Sequence, residues 1–90
     1  MKTLEVHYEG RVQGVGFRAM VKSEAHGYDV AGLVSNLPDG RVRLLVSGED
    51  AEVDAFLESI RQGPLAGHIR LETFSETRRP DGLKGFRIDP

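Results

Sequence analysis

No cysteine occurs anywhere in the 90 residues. Disulfide staples and thiolate chemistry are thereby excluded. A basic surplus is also missing. Twelve Lys and Arg stand against fourteen Asp and Glu, a net charge of −2, whereas a nucleic-acid module usually carries a cationic excess. There is no long apolar run either. The start, MKTLEVHYEG, alternates charged and apolar residues. Neither a signal peptide nor a membrane span is expected from it, and the expected location is the cytoplasm. No biased segment, internal repeat or linker is visible. With 39% hydrophobic and 29% charged residues the composition is that of an ordinary globular protein. One domain is expected over residues 1–90, a length too short for two. A chain of this size buries only about 60–65% of the surface its unfolded form exposes. Little core is left for a deep cavity, so a site should sit on a loop at the rim.

What is present begins with a strand. Leu4, Val6 and Tyr8 alternate with Glu5, His7 and Glu9, the period of a half-buried strand. Phe17, Met20, Val21, Ala25 and Tyr28 recur near helical spacing, with Gly27 as a stop. DVAGLVSN, residues 29 to 36, reads as a second strand broken by a glycine. NLPDG, residues 36 to 40, is a turn. Pro38 presets its own backbone angle and Gly40 tolerates the left-handed region. RVRLLVSG follows as a third strand, so residues 30 to 48 should form a hairpin. Ser47 and Asp50 have the S-x-x-D spacing of a helix start. Val53, Phe56, Leu57 and Ile60 then fit i, i+3, i+4, i+7 until Gly63 and Pro64 end the helix.

Ile69, Leu71 and Thr73 suggest a fourth strand. ETRRPDGLKG is a polar connection, with Arg78, Arg79 and Pro80 expected at a mobile tip, and Phe86 and Ile88 mark a short last strand. The order β-α-β-β-α-β with an added terminal strand predicts an α+β, ferredoxin-like fold. It has two helices on one face of an antiparallel sheet. The clean alternation of the first strand suits a sheet with one wet face.

The chemistry concentrates in GRVQGVGFR, residues 10 to 18. Its glycines allow a tight loop with inward N–H groups, and the helix starting near Gly16 adds the free N–H groups of its first turn. Such a concavity binds anions, phosphate above all. Arg18 lies in that first turn, where a cation opposes the helix dipole. An anion between loop and guanidinium would resolve the conflict, and arginine can grip phosphate by two N–H bonds. A turn that only bends the chain, with Arg18 paired to a nearby carboxylate, is the plainer alternative. Nucleotide motifs do not apply. The stretch lacks the Gly-Lys-Ser/Thr ending of one phosphate loop and the third glycine of the dinucleotide fingerprint.

GRVQGVGFR resembles the first signature of the acylphosphatases, and GLVSNLPDGRV, residues 32 to 42, is similar to their second. The resemblance runs the length of the chain, to the closing KGFRI. The family usually carries an aromatic residue at the position of Leu33 and a basic or larger one at Ser35. The resemblance implies hydrolysis of a carboxyl-phosphate anhydride to a carboxylate and inorganic phosphate. It also implies that Arg18 and the N–H groups of Gln13, Gly14, Val15, Gly16, Phe17 and Arg18 hold the phosphate. Asn36 would orient the attacking water. No metal, cofactor or phosphoenzyme is implied. That sparse equipment suits the reaction, because an acyl phosphate already has a good leaving group and phosphoryl transfer leaves mainly positioning and charge stabilisation to the protein. Asparagine holds water without changing protonation state. From local sequence alone Asn36 reads first as a turn residue before Leu37 and Pro38, and it is the resemblance that reverses this.

Elsewhere, His7, His26 and His68 have no metal-like spacing and are expected at the surface. Glu49, Asp50, Glu52 and Asp54 fit a solvated first helical turn. Glu5 and Glu9 could pair with arginines across the sheet. An RNA-binding sheet would need exposed aromatics on its central strands, and the third strand offers Arg41 and Arg43 but no aromatic residue. The expected partners are a small acyl phosphate and product phosphate, with no nucleic acid, no membrane and a monomeric chain. The rival expectation is a ferredoxin-like regulatory module that binds an anion without catalysis.

Overall fold

Hydrophobic periodicity sets the layers of the computed structural model, which describes residues 1–90. The elements follow as β1 (Lys2–Gly10), α1 (Phe17–Ala25), β2 (Val30–Asn36), β3 (Val42–Gly48), α2 (Asp50–Arg61), a single 3₁₀ turn (Ala66–His68), β4 (Ile69–Glu76) and β5 (Phe86–Ile88). Leu4, Val6 and Tyr8 of β1 and Val42, Leu44 and Val46 of β3, alternate residues of each strand, enter one core. They meet Phe17, Val21 and Ala25 of α1 and the complete stripe Val53, Phe56, Leu57 and Ile60 of α2. Each fully buried side chain of this kind contributes about 1.5–3 kcal/mol. This is the ferredoxin-like α+β arrangement that the pattern predicts, with both helices on one side of the sheet. No helix is long and apolar enough to cross a membrane.

The strand order is β4-β1-β3-β2-β5. β1 pairs antiparallel with β3 and β4, and β2 with β3. β5 instead joins β2 in parallel, so the sheet is mixed rather than wholly antiparallel. The β2–β3 hairpin holds as expected, and β2 runs unbroken through Gly32.

Two local expectations change. Ser47 does not start α2. It belongs to β3, and its hydroxyl lies 2.7 Å from that of Thr3 on β1. The cross-strand hydroxyl pair outcompetes a cap, and the helix begins after Glu49 without a side-chain cap bond. Asp50 and Glu52 in the first turn and Arg61 in the last complement the helix dipole instead.

The second change concerns the supposedly mobile tip. Because β4 and β5 lie at opposite edges, residues 77 to 85 must cross the sheet, and they do so on the face away from the helices. Thr77 N–H donates to the Thr3 carbonyl at 2.9 Å. Arg79 donates to Ser47 Oγ at 3.1 Å and to the Leu83 carbonyl at 2.7 Å. Leu33, Leu45 and Leu83 are buried here, outside the helix-side core. The wet face is therefore roofed at one end. At its open end it carries the expected ion pairs, Glu5 with Arg43 at 3.1 Å and Glu9 with Arg70 at 3.5 Å.

Candidate active site

Residues 11 to 16 link β1 to α1 and wrap one end of the sheet. The loop is fixed at its start by a two-way clasp. Arg11 N–H donates to the His68 carbonyl at 3.0 Å, and His68 Nδ1 lies 3.1 Å from the Arg11 carbonyl. Gly10 is needed for that approach, since a Cβ there would run into the His68 carbonyl. Val12, 1% exposed, anchors the loop in the core. Gly14 and Gly16 then take φ of 77° and 84°, in the left-handed region that glycine reaches at no steric cost. Those two reversals turn the chain into the first turn of α1.

The result is a run of unused donors. The N–H groups of residues 13 to 19 have no backbone acceptor, and the first bond into the helix is Met20 N–H to the Gly16 carbonyl at 3.0 Å. The first turn of α1 contains no acidic residue. The positive end of the helix dipole is thus left without a compensating charge of its own.

A cavity of about 180 Å³ opens against this loop, lined by Val12, Gly14, Gly16, Phe17, Arg18, Ala19, Asn36 and Ile88. It brings together Arg18 and Asn36, eighteen positions apart in the chain, with Gly14 and Gly16 of the loop before α1. Asn36 ends β2 opposite Val42, on the helix side of the sheet. Its Oδ1 is buried and has no hydrogen-bond partner in the protein. A buried, unsatisfied acceptor costs about 1–3 kcal/mol, and such a cost is tolerated most readily at a functional site.

Arg18 does not pair with a carboxylate, the plainer reading of its position. Its Nη1 donates to the Asp89 backbone carbonyl at 3.1 Å. The Asp89 side chain turns to Arg87 Nε, 2.8 Å away. The charge of Arg18 is steered by a neutral partner and is left available to an anion. Asp89 is held in turn by its own N–H, bonded to the Val34 carbonyl at 2.9 Å.

Gln13 and Val15 line no part of this cavity. The Gln13 side chain reaches the β2–β3 turn, where Nε2 donates to the carbonyls of Leu37 at 2.8 Å and Arg41 at 2.9 Å. It braces the loop against the hairpin that carries Asn36. Asp39 tightens the same turn through Arg41, accepting from its N–H at 3.0 Å and its Nε at 2.9 Å. The backbone bond, more than the guanidinium, holds the Asp39 carboxyl below its ordinary value. Val12 from GRVQGVGFR and Ile88 from the closing KGFRI complete the lining, and Ala19 and Asp89 join them without a sequence motif to mark them. The largest cavity, about 920 Å³, opens around Arg11, His68 and Arg70 and contains neither Arg18 nor Asn36.

The family model for acylphosphatase matches residues 4–88. The chain belongs to the acylphosphatase family. It is 39% identical over 88 residues to an acylphosphatase of Methanocella arvoryzae, covering 98% of this chain and 99% of that one. The crystal structure of the acylphosphatase from Bacillus subtilis superposes over all of both chains with a TM-score of 0.89 at 34% identity. A segment of HypF from T. kodakarensis is similar too, with a TM-score of 0.86 and 30% identity, but this chain covers only 12% of that protein. The enzyme's reaction is hydrolysis of the carboxyl-phosphate bond of an acyl phosphate. Leu33, at a usually aromatic position of the second signature, is buried under the crossover on the face opposite the cavity.

Proposed function

We propose that the cavity between Arg18 and Asn36 is where this acylphosphatase works. The phosphoryl group of the substrate sits in the loop of residues 13 to 18. N–H groups of Gly14, Gly16, Phe17 and Arg18, all in the cavity wall, meet its equatorial oxygens, and those of Gln13 and Val15 continue the same run of free donors beside them. The Arg18 guanidinium closes the opposite side, while Asp89 holds one of its nitrogens. These donors meet charge already spread over the oxygens, and they need no reorganisation as the bond breaks.

Asn36 Oδ1 accepts a hydrogen bond from water and sets its oxygen in line with the leaving carboxylate. Water attacks phosphorus, the phosphorus–oxygen bond to the acyl group breaks, and the acyl group leaves as a carboxylate. An amide is a poor base, so the water's proton passes to a phosphate oxygen, and the products are a carboxylate and inorganic phosphate. No residue changes its covalent state. The reading places the work in a single domain, a monomer in the cytoplasm without a nucleic-acid or membrane partner.

The observation that supports this reading is the unpartnered Oδ1 of Asn36 in the same cavity as Arg18. Benzoyl phosphate hydrolysis by the wild type, Arg18→Ala and Asn36→Ala tests it. Each variant is expected to lose on the order of 100–1,000-fold in kcat, the cost of one transition-state donor. Wild-type turnover should survive a chelator. Unchanged activity in Arg18→Ala would sink the assignment. Folded wild-type protein that binds phosphate without turnover would favour a non-catalytic anion-binding module.

A further inference from the structure

Beneath the cavity lies a polar group that the reaction does not use. Tyr8 is fully buried in β1. Directly opposite it in the β1–β4 register stands Glu72. Glu72 Oε1 accepts from Arg61 Nε at 2.8 Å, at the end of α2. Tyr8 Oη and Glu72 Oε2 are both buried, and neither has an aligned partner. Side chains directly opposite on an antiparallel pair have Cβ atoms about 4.5–5.5 Å apart. The register therefore sets the two unsatisfied atoms at the ends of directly opposed side chains. Burial first, and then the charge of Glu72, push the phenol's pKa far upward. Tyr8 therefore keeps its proton and faces Glu72 as a donor.

The other side of the Tyr8 ring touches the site. It packs on Phe17 with ring centroids 5.1 Å apart and planes tilted by 58°. Phe17 is 1% exposed and is flanked in the chain by Gly16 and Arg18, all three in the cavity wall.

We propose that Arg61, Glu72 and Tyr8 form a relay, running from the exposed end of α2 to the buried Tyr8, that positions Phe17 and through it the phosphate cradle. The inference rests on the site described above. The sheet does not need this relay, because β1 and β4 are already joined by their backbone ladder. The Arg61–Glu72 pair lies at an exposed edge, and pairs of that kind add little to stability. What apolar packing lacks is direction. A hydrogen bond at Oη fixes where the Tyr8 ring sits, and the ring sets how far Phe17 can drop. Tyr8 and Glu72 are thus positioning residues, while Arg18 and Asn36 meet the substrate.

The test uses Tyr8→Phe, which keeps the ring, and the double variant Tyr8→Phe/Glu72→Leu, which also removes the stranded carboxylate. Three quantities are measured well below the melting temperature of each protein or alongside it: kcat/KM for benzoyl phosphate, the calorimetric Kd for inorganic phosphate, and Tm. Tyr8→Phe should lower kcat/KM about ten-fold, less than the ~100-fold that a 1 Å misplacement can cost, and should weaken phosphate binding with it. The double variant should regain the wild-type Tm and keep the kinetic defect. If kcat/KM and the phosphate Kd return with Tm, or if Tyr8→Phe never changes them, the relay is structural only and the proposal fails. If Tyr8→Phe does not fold, the double variant decides alone. Loss of activity in Arg18→Ala beside normal activity in the relay variants would overturn the relay and leave the site intact.

Discussion

Arg18 and the backbone carbonyl of Asp89 are hydrogen-bonded at 3.1 Å across 71 positions of sequence. The guanidinium that grips phosphate in our reading is therefore aimed by the tail of the chain. Removing Asp89 and Pro90 deletes the acceptor. A hydrogen bond to a charged group contributes about 1.5–3 kcal/mol, so kcat/KM should fall roughly 10- to 100-fold. Asp89→Ala keeps the carbonyl and should keep the activity. Steady-state kinetics on benzoyl phosphate with both variants distinguishes a backbone role from a side-chain one.

Gln13 joins two halves of the site through Leu37 and Arg41. Gln13→Ala should cost about 1–3 kcal/mol, the worth of two ordinary hydrogen bonds. Gln13→Glu should be worse, because it points an anion at two carbonyl oxygens. Chemical denaturation would measure the stability. A drop in kcat larger than the Tm shift predicts would place the effect on Asn36.

The glycines of the loop should separate by mechanism. At Gly14 and Gly16 an added Cβ meets no neighbour, so alanine pays only for the left-handed backbone. That strain is about 1–2 kcal/mol, a Tm loss of roughly 4–16 °C in a domain this small. Gly10→Ala must also displace the His68 carbonyl and should be much the most destabilising of the three. A thermal melt of each variant gives the ranking, and equal losses would contradict it.

Acid should loosen the hairpin turn. The Asp39 carboxyl is held below its ordinary 3.8, chiefly by the Arg41 N–H. Its pKa is lower in the folded chain than in the unfolded one, so its stabilisation is complete above the unfolded value. It is lost as pH falls through the lower folded value. An NMR titration should show the Arg41 amide resonance following Asp39 with a midpoint below that ordinary value. A midpoint at or above it would refute the assignment.

The legible part of this fold was whatever a single face dictates. The stripe Val53, Phe56, Leu57 and Ile60 is buried without exception. The alternation of β1 correctly sends Leu4, Val6 and Tyr8 inward. GRVQGVGFR marked Arg18, Gly14 and Gly16, and the second signature marked Asn36, all of which line one cavity. Long-range partners were hidden. Ser47 looked like a cap because spacing cannot reveal Thr3, forty-four residues away, as a competing partner. Arg79 looked free because its acceptor lies on β3, beneath the crossover. Asp89 carried no signal, since what it supplies is a peptide carbonyl that any residue owns. The clasp of His68 on Arg11 was likewise invisible, for it depends on the 3₁₀ turn meeting the end of β1.

The crossover has a consequence for the order in which the enzyme becomes competent. β1 to β3 and α1 form a continuous block, but β5 can dock only after residues 77 to 85 have traversed the sheet. Such distant closure comes late, because its loop entropy is spent before its contacts reward it. β5 is also short and at an edge, the kind of segment that opens locally before the whole domain melts. Arg18 would then lose its aim while the core stayed folded. If Arg18 grips phosphate as proposed, this last strand would serve as the latch of the site.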